Sequence, residues 1–188
     1  GPFDFQTGTG LMEHKLPSLY QISLREIIEN KFPEVNLFFI HDSTAFILGA
    51  LQNNLSLRVK DISGIMLGTG LGYVHCVNGK VKVNAGKTPL HPLWNIPYRD
   101  GIAENYVSAT AIISKANKIG YSFDNVKDIE IAAKQGDNKL LSIFSETGAQ
   151  LGELIEIKRK EDGFEKLVIG GQVSKGWELM RKGFEDVC

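Results

Sequence analysis

Three glycines alternate with other residues in the run Gly68-Thr69-Gly70-Leu71-Gly72, inside an apolar stretch of the chain. Glycine in a strand interior costs stability, because it packs no side chain and loses the most chain entropy on folding. It also lets main-chain N–H groups approach an anion without Cβ atoms in the way, and the Thr69 hydroxyl adds a donor. The run therefore predicts a turn that binds an anion such as phosphate, and a bulged hairpin without a ligand is the structural alternative.

Two better-known glycine-rich motifs that bind phosphate do not match this sequence. A dinucleotide fingerprint has the spacing G-x-G-x-x-G and opens a helix, whereas the spacing here is G-x-G-x-G and a β-rich segment follows. The tripeptide Gly86-Lys87-Thr88 is similar to the end of a P-loop, but the earlier glycine of that motif would fall on Val81. A hairpin turn is therefore the better explanation of the glycine run.

A carboxylate stands at a second place where ligands gather. Asp42 follows the apolar run 35–41, which predicts a buried strand, and precedes a helical pattern. The apolar run 166–169 is likewise followed by a Gly-Gly turn and a helix, and ligands of α/β proteins collect at such carboxyl ends of strands. Asp42 is thus a candidate functional carboxylate, and the alternative is that it caps the helix that starts near Ser43.

The remaining pattern supplies the elements that would position these residues. Ser23 and Glu26 have the spacing of a capping box at the start of a short helix, after an irregular lead-in. Asn78-Gly79 predicts a two-residue hairpin turn, and the proline-rich segment 85–102 reads as a long ordered loop. Mixed strands and helices indicate an α/β fold, with helical spacing in 43–54, 103–120, 125–136, 138–160 and 172–187.

The composition argues against several classes of protein. The 188 residues carry a net charge of −1, which argues against nucleic-acid binding by this segment, and no apolar run is long enough to span a membrane. The opening residues do not form a secretory signal, and two distant cysteines, Cys76 and Cys188, make no disulfide framework. A cytoplasmic protein is predicted, and we also expect a homo-oligomer.

Five segments, taken in order, resemble the landmarks of the ROK family of sugar kinases and sugar-responsive repressors. They are "GPFDF", "FFIHDSTAFILGA", "GIMLGTGLGYVHCVNGKV", "AENYVSATAI" and "LVIGGQVS". The resemblance implies the actin-like ATPase (ribonuclease H-like) fold, mostly its larger lobe plus a remnant of the smaller one. We expect residues 1–53 and 175–188 to be that remnant and residues 54–174 to be the larger lobe, with sugar and ATP in the cleft between them.

The resemblance also implies roles for individual residues. Asp42 matches the catalytic aspartate that takes the proton from the attacking sugar hydroxyl, and Glu104 matches a glutamate that binds sugar hydroxyls. His41 stands where the family usually has asparagine, another sugar ligand. The nucleotide-binding positions are implied to be Gly68, Thr69, Gly70, Gly72, Gly170 and Gly171.

The chain departs from the family pattern in three places. In the 85–91 loop Lys87 replaces a sugar-binding glutamate, and His91 matches the sugar-binding histidine only after a one-residue shift. The family's cysteine-rich zinc loop is replaced by "WNIPYRDGIAE", so no zinc is expected and no metal ligand is predicted. The Asp-x-Gly-Gly-Thr-like first phosphate motif is missing, so the 188 residues are predicted to be the carboxyl-terminal portion of a longer protein.

Two functions follow from the resemblance. The first is an ATP-dependent kinase that acts on a hexose or amino sugar with ATP and Mg²⁺, and that transfers poorly without the missing motif. The second is a non-catalytic sugar-binding or sugar-sensing relative, such as the effector domain of a transcriptional regulator. A plain α/β scaffold, with Asp42 as a helix cap, is the third possibility.

Overall fold

A computed structural model describes residues 3–13 and 17–188. Its central element is a four-stranded mixed sheet in the order β5-β4-β3-β8. Strand β3 pairs antiparallel with β4 and parallel with β8, and β4 pairs antiparallel with β5. The bounds are Ile62–Leu67 for β3, Leu71–Val77 for β4, Lys80–Val81 for β5 and Lys166–Gly170 for β8.

The predicted hairpins are confirmed. The strands β3 and β4 run from the Ile62–Cys76 pair to the Leu67–Leu71 pair, so the glycine run forms the connecting turn. Asn78 and Gly79 both have positive φ, 49° and 75°, which is the backbone of the primed two-residue turn that Asn-Gly favours.

The described residues form six α-helices, and side-chain caps explain where several of them begin. The Ser23 hydroxyl accepts a hydrogen bond from the Glu26 N–H, as the capping-box spacing predicts, and Asp137 caps the longest helix. That helix ends at Gly163, which has φ of 70°. The bounds are Leu24–Lys31 (α1), Asp42–Asn53 (α2), Ala109–Lys118 (α3), Val126–Lys134 (α4), Asn138–Asp162 (α5) and Trp177–Glu185 (α6).

The sequence did not predict two small hairpins. The lead-in forms a pair of two-residue strands, and the proline-rich loop forms another. The helix predicted from residue 103 begins at residue 109, after a 3₁₀ turn at Ala103–Asn105. Residues 1 and 2 of "GPFDF" lie outside the described residues. The strand bounds are Phe3–Asp4 (β1), Thr9–Gly10 (β2), Pro97–Tyr98 (β6) and Gly101–Ile102 (β7).

Two hydrophobic cores lie on opposite faces of the sheet. On one face Ile65, Leu67 and Tyr73 belong to the larger core, to which α3 to α6 contribute. On the other face Ile62, Val74 and Cys76 pack against Ile47 and Leu51 of α2. The alternation along each strand separates the two cores, because successive side chains point to opposite faces.

The prediction of a buried strand at 35–41 is wrong. The segment has no regular secondary structure and pairs with no strand among the described residues, and Phe38 is 89% exposed. A strand becomes buried only when neighbours cover its edges and faces, and the described residues cover one face alone.

The predicted division into lobes stays a prediction. Helix α6 packs along α5, and Met180 and Phe184 of α6 join the larger core. This packing favours grouping residues 177–185 with 54–174 rather than with 1–53. Within the described part of the chain, no helix is both long enough and apolar enough to cross a membrane.

Candidate active site

The carboxyl ends of β3 and β8 lie side by side and bring two glycine turns to one edge of the sheet. The strands run parallel, with Met66 opposite Gly170, so the Gly68–Gly70 turn and Gly171 follow neighbouring strand ends. Gly171 has φ of 95°, and a Cβ there would overlap the carbonyl oxygen of Leu67. Only glycine suits this position, whether or not a ligand binds.

The turn between β3 and β4 offers free main-chain donors. The N–H groups of Thr69 and Gly70 donate to no acceptor among the described residues. The carbonyls of the turn are anchored instead, because Ala109 donates to Gly68 O at 2.8 Å and the Thr110 hydroxyl donates to Thr69 O at 3.3 Å. A turn held by its carbonyls with its N–H groups free can bind an anion.

Asp42 reaches the same edge through the start of α2. A Cβ on Gly72 would lie 2.7 Å from the Ser43 hydroxyl, so the bare backbone of β4 lets the first turn of α2 approach. A Cβ on Gly170 would overlap the ring of Phe46 in the same helix. The absence of side chains on Gly72 and Gly170 therefore lets α2, which begins at Asp42, pack closely against β4 and β8.

Asp42 is ionised and open to solvent. The imidazole Nδ1 of His41 lies 2.9 Å from the Asp42 carboxylate, and the Ser43 N–H donates to the same oxygen at 2.7 Å. The hydrogen bond with His41, assisted by the bond from Ser43, lowers the pKa of Asp42 to about 2 against a smaller opposing effect of burial. The side chain is 76% exposed, so it can contact a ligand. The alternative that Asp42 caps α2 is not what the structure shows, because α2 begins at Asp42 and His41 is its N-cap residue.

Glu104 is tied to the glycine turn. Its Oε2 accepts a hydrogen bond from the Leu71 N–H at 2.8 Å, and a Cβ on Gly70 would lie 2.5 Å from that oxygen. The other carboxylate oxygen accepts no hydrogen bond from the described residues, so it is available to a ligand. Glu104, which is predicted to bind the sugar, is thus hydrogen-bonded to the turn that is predicted to bind phosphate.

Substitutions of Glu104 can separate the two roles. Glu104→Ala should lower the free energy of unfolding by about 1–3 kcal/mol, because it leaves the buried Leu71 N–H without an acceptor. Glu104→Gln keeps an acceptor and should cost less than half as much in the same urea titration. Equal losses in the two variants would show that the hydrogen bond to Leu71 does not stabilise the turn.

His91 lies apart from this edge. Its Nδ1 is 2.8 Å from the Asp162 carboxylate and 3.6 Å from that of Glu161, at the end of α5. None of its contacts involves Asp42 or Glu104. Its predicted role as a sugar ligand stays a prediction, and in this structure its imidazole ring is held by acidic groups.

The sequence analysis did not predict a buried network of hydrogen-bonded polar side chains, to which His91 is connected through Asp162. The hydroxyl of Tyr73 donates to Asp162 at 2.6 Å and lies 2.8 Å from the Ser63 hydroxyl, which also contacts Nδ1 of His75. Burial, and then the bond to Asp162, raise the pKa of Tyr73. The only signal in the sequence was the presence of polar residues within two otherwise apolar strands.

A metal does not fit among these side chains. Within residues 3–13 and 17–188, one group of ligand types lies close enough to hold an ion, and it consists of His91, Glu161 and Asp162. Glu161 is already paired with Lys158 at 2.6 Å, and Asp162 accepts bonds from Tyr73 and His91. Both carboxylates are therefore engaged by protein partners, and none of their contacts involves the glycine turn.

The comparisons with known proteins agree with the geometry. No family model matches the chain, and no curated protein matches it. Among solved structures, the chain is similar to a ROK family glucokinase from Streptomyces griseus in complex with glucose and AMPPNP (20% identity, TM-score 0.82, 100% of this chain and 68% of that one). It is also similar to a glucokinase from Parabacteroides distasonis (20% identity, TM-score 0.81, 99% and 58%).

A regulator shares the same architecture. A ROK family transcriptional regulator, described as a homologue of the E. coli MLC protein, matches with a TM-score of 0.83 at 21% identity, over 100% of this chain and 52% of that one. At such identities the likeness shows the fold. The chain is an α/β protein with the actin-like ATPase fold of ROK sugar kinases, as predicted, and it spans only part of the length of these neighbours.

Proposed function

We propose that the chain is part of an ATP-dependent sugar kinase of the ROK type, acting on a hexose or an amino sugar. The observation that carries the proposal is the approach of the first turn of α2, which begins with the exposed carboxylate of Asp42, to Gly72, next to the turn where the N–H groups of Thr69 and Gly70 are free. Donors for a phosphate chain and a base for a hydroxyl are the two components that phosphoryl transfer requires from a protein.

The residues at this edge of the sheet form two groups, one that binds the nucleotide and one that binds the sugar. The turn Gly68–Gly72 and the glycines 170 and 171 receive the nucleotide, and the position that a Cβ would take on Gly68 is open to a phosphate oxygen. Glu104 and His41 bind sugar hydroxyls. Asp42 accepts the proton of the attacking hydroxyl as its oxygen bonds to phosphorus, while the bond from phosphorus to the leaving ADP oxygen breaks.

The proposed kinase activity implies particular cofactors and partners. ATP is the phosphoryl donor, and Mg²⁺ neutralises nucleotide charge when it is bound, but the described residues provide no ligand group for it beside the turn. We assign no zinc to the 94–104 segment. The partners are a sugar and ATP rather than nucleic acid or a membrane, and we propose a cytoplasmic homo-oligomer.

A sugar-sensing protein without catalysis is the second candidate. The likeness to a transcriptional regulator supports it, since that protein matches with a TM-score equal to or above those of the two glucokinases described above. Sugar binding by the full-length protein without phosphoryl transfer would favour this candidate.

Titration with Mg²⁺-AMPPNP tests the nucleotide role. Thr69 is exposed at the turn, so its substitution by valine removes a hydroxyl donor and leaves the fold intact. We expect Thr69→Val to weaken AMPPNP binding about tenfold, which corresponds to the loss of one hydrogen bond to a charged group. The matched control is Thr7→Val in the β1–β2 turn, which should leave the Kd unchanged. Equal Kd values for Thr69→Val and the wild type would remove the turn from the nucleotide site.

A further inference from the structure

The small hairpin of β6 and β7 leads directly into Glu104. Its two strands are joined by a turn of two residues, 99 and 100. At its base, the Glu104 N–H donates to the carbonyl of Trp94 at 3.0 Å, and the Ala103 N–H donates to that of Ile96 at 3.0 Å. The backbone of Glu104 is therefore hydrogen-bonded to the chain that enters the hairpin, so a movement of the hairpin would move Glu104.

The tip of the hairpin is fixed to α5 through Glu153. The Tyr98 hydroxyl donates a hydrogen bond to one oxygen of the Glu153 carboxylate, and the Arg99 guanidinium lies 3.6 Å from the other. The Tyr98 ring is buried and meets the ring of Tyr106 edge-on, with centroids 5.1 Å apart. Burial, followed by the bond to Glu153, raises the pKa of Tyr98 to about 12, so the hydroxyl keeps its proton at neutral pH. We call Tyr98, Arg99 and Glu153 the hairpin anchor.

Arg99 has a backbone conformation that arginine rarely adopts. Its φ is 54°, in the left-handed region that favours glycine, and such strain persists only where surrounding contacts fix it. The side chain is exposed, but its guanidinium lies 5.2 Å from the ring centroid of Tyr98 and 5.7 Å from that of Tyr106. These contacts and the Glu153 carboxylate hold the strained turn in one position against α5.

Glu104 connects the hairpin to the glycine turn. Its Oε2 accepts a hydrogen bond from the Leu71 N–H at 2.8 Å, and its other carboxylate oxygen accepts none from the described residues. We propose that the hairpin anchor positions Glu104, so that this second oxygen is held where a sugar hydroxyl binds. The inference rests on the proposed function and deepens it. Members of the anchor are positioning residues rather than catalytic ones, because they act on the sugar only through Glu104.

Hydrogen exchange in the full-length protein tests the positioning without a sugar. Tyr98→Phe removes the hydroxyl and keeps the ring. We expect the Leu71 amide, which donates to Glu104, to exchange at least about tenfold faster in this variant, while the amides of α4 keep their rates. The matched control is Tyr121→Phe, because the Tyr121 hydroxyl also donates to a carboxylate, that of Asp137 at the start of α5. In that variant the Leu71 amide should exchange as in the wild type.

Titrations of the full-length protein with glucose test the consequence for the sugar. Tyr98→Phe and Glu104→Gln should each weaken glucose binding about tenfold, the loss expected for one hydrogen bond to a charged group. The double variant should lie within about twofold of Glu104→Gln alone, because both changes act on one contact. Glu153→Gln keeps an acceptor for the Tyr98 hydroxyl and should retain most of the affinity that Glu153→Ala loses. Tyr121→Phe should leave the Kd unchanged.

Two results would overturn the proposal. One is an unchanged exchange rate of the Leu71 amide in Tyr98→Phe. The other is additive effects of Tyr98→Phe and Glu104→Gln on the Kd for glucose, because the anchor would then act on the protein as a whole and not through Glu104. Glucose binding that Glu104→Gln leaves unchanged would contradict the proposed function of Glu104 instead, and the exchange of the Leu71 amide would still decide whether the anchor positions it.

Discussion

Replacement of Asp42 by asparagine is expected to lower the kcat of sugar phosphorylation by about two to four orders of magnitude, the usual contribution of a general base. Asparagine keeps the size of the side chain and one hydrogen-bond acceptor for the Ser43 N–H. It cannot accept the proton of the attacking hydroxyl. The Kd for the sugar should therefore stay within a few-fold of the wild type, and coupled kinase assays with sugar titrations would measure both quantities.

The control is the same substitution at Asp124, an exposed carboxylate just before α4. Asp124→Asn should leave kcat unchanged. If Asp42→Asn also retained turnover, Asp42 would not be the catalytic base. These assays use the full-length protein, because the 188 residues lack the first phosphate motif. If the full-length wild type bound sugar but transferred no phosphate in the presence of Mg²⁺-ATP, the sugar-sensing candidate would replace the kinase.

The pH dependence of the same residue follows from its low pKa. A carboxyl group with a pKa of about 2 is ionised throughout the range from pH 5 to 8, so protonation of Asp42 should produce no acid limb there. Because the folded pKa lies below the unfolded value, the stabilising effect of Asp42 is present above about pH 4 and is lost as pH falls toward 2. The difference in stability between the wild type and Asp42→Asn should therefore disappear at low pH.

Local sequence signals were enough for most of the fold. The Asn-Gly turn, the Ser23 cap and the hairpin at the glycine run each depend on neighbouring residues, and each prediction is confirmed. The glycine run was also informative, because its bare backbone contacts Ser43 and Glu104 as a close-approach site would. The residue-level assignment of the site depended on the resemblance, and roles such as the sugar contact of Glu104 stay predictions.

Long-range features were beyond the sequence. The burial of 35–41 depends on strands that the described residues do not supply, so an apolar run alone gave the wrong result. The position of His91 depends on Asp162 at the end of a long helix, and no local pattern encodes that pairing. Neither did any local pattern show which face of α5 would receive α6.

The interface between α5 and α6 carries the largest stability effect that we expect. Gly148 of α5 is buried against the backbone of Met180, and a Cβ there would overlap the Met180 carbonyl oxygen. The contact is reciprocal, because a Cβ on Gly183 of α6 would overlap the carbonyl oxygen of Ser145. Backbone atoms cannot move aside as a side chain can, so an added methyl group must push the helices apart.

Gly148→Ala should therefore lower the free energy of unfolding by about 2 kcal/mol, since overpacking costs about 3 kcal/mol and the better helix propensity of alanine returns about 1 kcal/mol. The matched control is Gly49→Ala in α2, where a Cβ would meet no atom within 4 Å, and this variant should gain about 1 kcal/mol from propensity alone. Urea denaturation would show whether the change from glycine to alanine lowers the free energy of unfolding in α5 and raises it in α2. A Gly148→Ala variant as stable as the wild type would mean that α6 does not pack on α5 at this distance. Because α6 follows the Gly171 turn in the chain, its displacement should also weaken AMPPNP binding.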